Sequence, residues 1–133
     1  FLPPTEVQGA RLQKTLLAEG CSIADAVIFH SVVGIRSIIG SQVVMRDTVM
    51  MGADYYETDD QRSENRQLGR PDIGIGSGSI IESAILDKKV RIGRNVKIRH
   101  LSDRPDSEEE NWAVRDGLVV VPKSAIIPDD TVI

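Results

Sequence analysis

The sequence predicts an all-β chain wound as a left-handed parallel β-helix, a hexapeptide-repeat solenoid with two inserted loops. Three observations predict it. Small or β-branched residues are followed two positions later by aliphatic ones, successive pairs start five or six residues apart, and the pattern resumes beyond two polar interruptions. That period suits neither an amphipathic helix, whose apolar face returns every three or four residues, nor an isolated hairpin with strict alternation.

The chain opens with Phe1-Leu2-Pro3-Pro4, a stiff, extended stretch read as a linker over residues 1–6 and as the start of a fragment of a longer chain. The repeat then runs through Ala10/Leu12, Thr15/Leu17, Cys21/Ile23, Ala26/Ile28, Ser31/Val33, Ser37/Ile39, Val43/Met45 and Thr48/Met50. It resumes at Ser79/Ile81, Ala84/Leu86, Val90/Ile92 and Val96/Ile98, and again at Val119/Val121, Ala125/Ile127 and Thr131/Ile133. In each pair the aliphatic residue points inward and the small one fits a crowded inner position near a corner. Gly34, Gly40 and Gly93 directly follow inward residues and are expected to supply backbone angles that other residues adopt reluctantly. Three strands close a coil, and neighbouring coils pair as parallel strands about 4.8 Å apart. Hexapeptide coils wind left-handed, against the usual right-handed crossover. An antiparallel sandwich fits poorly, because Asp116-Gly117 is the sole hairpin-type dipeptide of the Asn-Gly or Asp-Gly kind.

Two segments break the repeat and are predicted to emerge as surface loops. Residues 54–72 are polar and carry Arg62, Arg66 and Arg70; residues 101–116 carry Glu108-Glu109-Glu110, read as solvated, and Trp112. The length of 133 residues suits one domain. A net charge of -4 provides no overall field for nucleic acid or an anionic membrane, so any anion site must be local. No apolar run approaches the length of a bilayer span, and no secretory signal pattern opens the chain. Cys21, the single cysteine, excludes an internal disulfide, fits a reducing compartment or a plastid interior, and sits at a small inward position where burial is expected.

Hexapeptide β-helices often serve acyltransferases, which need a histidine base, or carbonic anhydrases, which need three histidines around zinc. This chain has two histidines. His30 and His100 each lie two positions beyond an inward aliphatic, Ile28 and Ile98, which places both on the outer surface; no metal site and no catalytic residue are expected. A basic cluster is more informative: Lys88, Lys89, Arg91, Arg94, Lys97 and Arg99 fall within one short stretch of an acidic chain. Lys88 follows Leu86 by two positions, and Lys123 follows Val121 by two. If the 101–116 loop leaves and returns without consuming a face, the two lysines stack at equivalent corners of adjacent coils, their stems about 5 Å apart. Like charges that close repel unless an anion lies between them, so the spacing admits a phosphate or carboxylate ligand, with a solvated lysine ladder as the alternative. Arg115, at the return from the loop, would add a forked donor suited to phosphate.

Several strings resemble one family. The segment from His30 to Ser37, followed by Asp47-Thr48-Val49-Met50-Met51-Gly52-Ala53-Asp54-Tyr55-Tyr56-Glu57-Thr58, is similar to the β-helix of ADP-glucose pyrophosphorylase, or glucose-1-phosphate adenylyltransferase, of the plant and cyanobacterial type. Ile73-Gly74-Ile75-Gly76, the stretch from Ile85 to Gly93 and the stretch from Val119 to Pro128 extend the resemblance over nearly the whole chain. The resemblance implies an enzyme that makes ADP-glucose and pyrophosphate from ATP and glucose 1-phosphate with magnesium, in glycogen or starch synthesis. Its chemistry, with Mg and ATP, belongs to an N-terminal nucleotidyltransferase domain whose glycine-rich signature is absent from this sequence. For this part the resemblance implies no cofactor, a regulatory and assembly role, a homo- or hetero-tetramer, and a cytoplasmic or plastid-stroma location. It further implies an anionic effector, 3-phosphoglycerate, phosphate or fructose 1,6-bisphosphate, held by Lys88 with its neighbour Asp87 and by Lys123. Pro122, Lys89 and the acidic 101–116 loop depart from the family pattern. A purely structural scaffold and a hexapeptide acyltransferase using His30 or His100 are the alternatives.

Overall fold

A computed structural model describes residues 2–133; Phe1, the first residue of the expected linker, lies outside the described residues. The first coil consists of β1 (Glu6–Val7), β2 (Arg11–Gln13) and β3 (Leu16–Leu17), and the second of β4 (Ser22–Ile23), β5 (Val27–Phe29) and β6 (Val32–Val33). The third coil, β7 (Ile38–Ile39), β8 (Val44–Arg46) and β9 (Val49–Met50), ends at the first insert, which carries α1 (Asp59–Leu68). The fourth is β10 (Gly74–Ile75), β11 (Ile80–Glu82) and β12 (Ala84–Leu86), and the fifth opens with β13 (Arg91–Ile92) and β14 (Lys97–Ile98). The second insert supplies β15 (Ser107–Glu108) and β16 (Ala113–Arg115) before β17 (Leu118–Val121) closes that coil, and β18 (Ile126–Ile127) begins the last.

Strands from successive coils pair in parallel and form the three faces of a prism. One face reads β1-β4-β7-β10-β13-β18, the second β2-β5-β8-β11-β14, and the third β3-β6-β9-β12-β17. The register superposes inward residues: Ile23, Ile39, Ile75, Ile92 and Ile127 stack on the first face. Ile28, Met45, Ile81 and Ile98 stack on the second, and Val33, Met50, Leu86 and Val121 on the third. These side chains form one continuous buried core. Each contributes about 1.5–3 kcal/mol of apolar transfer energy. The small inner residues are buried with their hydroxyls satisfied: Ser37 Oγ donates to Gly34 O (2.7 Å) and Ser79 Oγ to Gly93 O (2.9 Å).

Three expectations change. Gly34, Gly40 and Gly93 do not adopt positive φ. The left-handed corner residues are instead mostly non-glycine, among them His30, Asp47, Ser83 and Lys89 at φ 49°, 52°, 52° and 61°. Glycine is required at the three positions for space: a Cβ on Gly34 would collide with the Met51 carbonyl, and one on Gly40 would lie 2.9 Å from Ser77 N. The expected linker also ends a residue early, because Glu6 already pairs with Ser22.

Neither insert is a plain loop. Thr58 caps α1 through a reciprocal box with Gln61 (3.1 and 2.9 Å), and Gly69 closes it at φ 68°. The helix is polar up to its last residue, the exposed Leu68, and has no apolar period to betray it; its stability comes from the caps and from buried Asn65, which donates to Glu57 and Asp72 and accepts from Arg70. In the second insert, Asp116 and Gly117 (φ 51° and 80°) turn β16 back onto β17, so β15 and β16 extend the third face as antiparallel strands. Val114 is buried there, and Trp112 packs on the core. No helix among the described residues is long and apolar enough to cross a membrane.

Candidate functional site

The corner between the third and first faces is held by a backbone ladder. Arg36 N donates to Glu19 O (3.2 Å), Ala53 N to Ile35 O (3.0 Å), Lys89 N to Gly52 O (3.0 Å) and Ser124 N to Lys88 O (3.0 Å). Together with the pairing of Leu86 with Val121, this places Lys88 and Lys123 at equivalent positions of adjacent coils. The second insert departs after β14 on the second face and returns at β17 on the third, so the coil keeps its step, and its hairpin adds to the third face beyond β17.

An anion of the protein itself stands at this corner. Asp54 begins the first insert, and its Oδ1 accepts from Lys88 Nζ at 2.8 Å while its Oδ2 lies 3.9 Å from Lys89 Nζ. The Lys88 hydrogen bond holds the Asp54 carboxyl below its ordinary value; desolvation opposes it, and the charges of Lys88, Lys89 and Lys123 add to it. The Lys88 and Asp54 side chains remain 42% and 43% exposed, so solvent reaches the pair. Asp87 Oδ1 accepts from the backbone N–H of Lys88 (2.6 Å) and shapes the corner turn. The Tyr55 ring centroid is 5.6 Å from Lys89 Nζ, and Tyr55 also lines a cleft of about 310 Å³ beneath the insert, with Arg36, Tyr56 and Arg62.

The insert is anchored by Glu57. Its Oε2 accepts from Asn65 Nδ2 (2.7 Å) and Arg91 (3.0 Å), and its Oε1 accepts from Ile73 N (2.6 Å). Burial pushes the Glu57 carboxyl up, but the Ile73 N–H, the Asn65 amide and Arg91 outweigh it and hold it below the ordinary range.

The chain matches the family model for the GLGC left-handed parallel beta-helix domain over residues 1–132. It belongs to that family. The match covers all but the last residue and bears out the all-β, left-handed solenoid. The GLGC domain is the C-terminal β-helix of the ADP-glucose pyrophosphorylases, so the coarse resemblance seen in the sequence holds.

Within this GLGC domain the structure brings Lys88, Asp87 and Lys123 to one corner and leaves Arg115 elsewhere. Arg115 is opposite Leu118, at the turn end of the hairpin, about 15 Å along the strand direction from Lys123. Its guanidinium donates to Ser107 O and Val114 O (both 2.8 Å) and pairs with Glu108. The sequence reading placed Lys89 at this basic site but missed Asp54, which follows Gly52-Ala53, the residues at the corner positions one coil before Lys88-Lys89. His30, 68% exposed, engages Asp47 (Nδ1 to Oδ1 2.7 Å), and the His100 N–H donates to Glu82. Among the described residues no group of three or more His, Cys, Asp or Glu could hold a metal ion. Cys21 is buried and its thiol donates to Gly34 O (3.2 Å).

Proposed function

We propose that this chain is the C-terminal regulatory and assembly half of a glucose-1-phosphate adenylyltransferase of the plant or cyanobacterial type, and that the Lys88–Lys123 corner holds the phosphate of an anionic effector. The observation that carries this reading is the coil register: Lys88 and Lys123 stand on stacked corners open to solvent, and the carboxylate paired with Lys88 there is that of Asp54. A phosphate bridging the two coils offers more negative charge and more acceptors than that carboxylate. Candidate effectors are 3-phosphoglycerate, inorganic phosphate and fructose 1,6-bisphosphate. The chemistry belongs to an N-terminal catalytic domain that binds ATP, magnesium and glucose 1-phosphate, and this chain contributes no catalytic residue. Effector binding acts by linkage, favouring the conformation of the tetramer in which the site is best formed. Assembly is supported by the outer column of the third face, where Leu16, Val32 and Val49 are exposed aliphatics in register.

Lys88→Ala and Lys123→Ala in the full-length enzyme should each weaken effector affinity about tenfold or more, since a hydrogen bond to a charged group contributes about 1.5–3 kcal/mol, and should leave unactivated turnover intact. Arg115→Ala is the control and should leave effector affinity unchanged. Unaltered activation in both lysine variants would leave a scaffold role as the surviving reading.

A further inference from the structure

We propose that Asp54 is a built-in competitor for this phosphate site: its carboxylate occupies the position against Lys88 and Lys89 that a bound phosphate needs, so ligand binding must displace the start of the first insert. The inference rests on the phosphate reading given above.

A carboxylate and a phosphate sharing one ammonium group repel, so both cannot stay. The Asp54 pair is half exposed and therefore weak, while a phosphate monoester carries about -1.5 to -2 charge and three acceptor oxygens. Phosphate prevails over the carboxylate, and the carboxylate reduces its apparent affinity by holding the corner in the occupied state. The movement is confined by its flanks. Ala53 is buried and its N–H is bonded to Ile35 O, and Glu57 is fixed by Arg91, Asn65 and Ile73. Tyr56 Oη donates to Gly20 O at 2.7 Å, a further tether. Asp54 and Tyr55 are left as the mobile pair. Tyr55 faces Lys89 on one side and lines the cleft beneath the insert on the other, so displacing Asp54 alters that cleft. The signal from the corner thus reaches the surface that the insert presents.

The test is calorimetric titration of inorganic phosphate into the full-length protein and its Asp54→Asn, Asp54→Glu and Lys88→Ala variants. Asp54→Asn should tighten the phosphate Kd about three- to tenfold, Asp54→Glu should remain within about twofold of the parent, and Lys88→Ala should lose most binding. In the unsubstituted protein labelled with fluorotyrosine, phosphate should shift the Tyr55 resonance, a readout independent of any folding defect in the variants. Equal or weaker binding by Asp54→Asn, or an unmoved Tyr55 with phosphate bound, overturns the competitor role and leaves the phosphate site standing if Lys88→Ala abolishes binding. Absence of phosphate binding in both the parent and Asp54→Asn, or full binding by Lys88→Ala, removes the phosphate site and the competitor with it.

Discussion

Replacing Glu57 by alanine removes the post on which the first insert stands. The side chain is 6% exposed and serves Arg91, itself 15% exposed, together with Asn65 and the Ile73 N–H. Truncating one member of a buried pair leaves the other charge uncompensated, at a cost of about 3–5 kcal/mol. Arg91 keeps its bond to Pro71 O (2.9 Å) and some solvent contact, which lowers this toward about 2 kcal/mol, while the unpaired Ile73 N–H adds about 1 kcal/mol. The expected loss is therefore about 3 kcal/mol, felt locally because the insert lies outside the prism. Native-state hydrogen exchange reads it: amides of α1 should open about a hundredfold more often, with amides of Ile81 and Ile98 in the core strands unchanged. Glu57→Gln, which keeps an acceptor and the volume, should lose about 1–2 kcal/mol. A change under about 1 kcal/mol in α1 for Glu57→Ala, or an equal change in core and insert, would refute the role of Glu57 as a local anchor.

Two further outcomes follow from the same packing. Gly34→Ala should lower stability by about 2–3 kcal/mol in urea denaturation, because its Cβ meets the backbone of the next coil; Gly69→Ala, with open space around it and φ 68°, should cost only about 1 kcal/mol. Acid should destabilise the fold through Glu57 and Glu82, whose carboxyls are held low, Glu82 first by the His100 N–H and then by Arg46 and Arg99. Because the folded values lie below the unfolded value of about 4.3, this stability is complete above that pH and is lost as pH falls through the folded values. The urea midpoint should fall steeply below about pH 4 and less steeply in Glu57→Gln; a flat midpoint there would contradict the assignment.

The lysine corner was legible because a solenoid coil pairs only with its neighbours. Counting two residues past Leu86 and past Val121 locates Lys88 and Lys123 without knowing anything distant, provided the second insert consumes no face. The same counting explains the error over Gly34: spacing marks the position as special, but only the adjacent coil shows that the demand is for space and not for φ. Arg115 was misjudged for a different reason. Asp116-Gly117 was recognised as a hairpin dipeptide, yet the reversal it imposes, which carries Arg115 to the far end of the strand, depends on β16 finding β17 as a partner.

The sequence by itself determined the solenoid, its inward residues, the surface placement of His30 and His100 and the stacking of the two lysines. All of these follow from a short-range period that sterics and burial repeat coil after coil. Only the tertiary structure decided which anion faces those lysines and what holds the first insert in place. Asp54 and Glu57 lie tens of residues from Lys88 and Arg91, and their meeting depends on how a polar, aperiodic segment folds back over a completed prism.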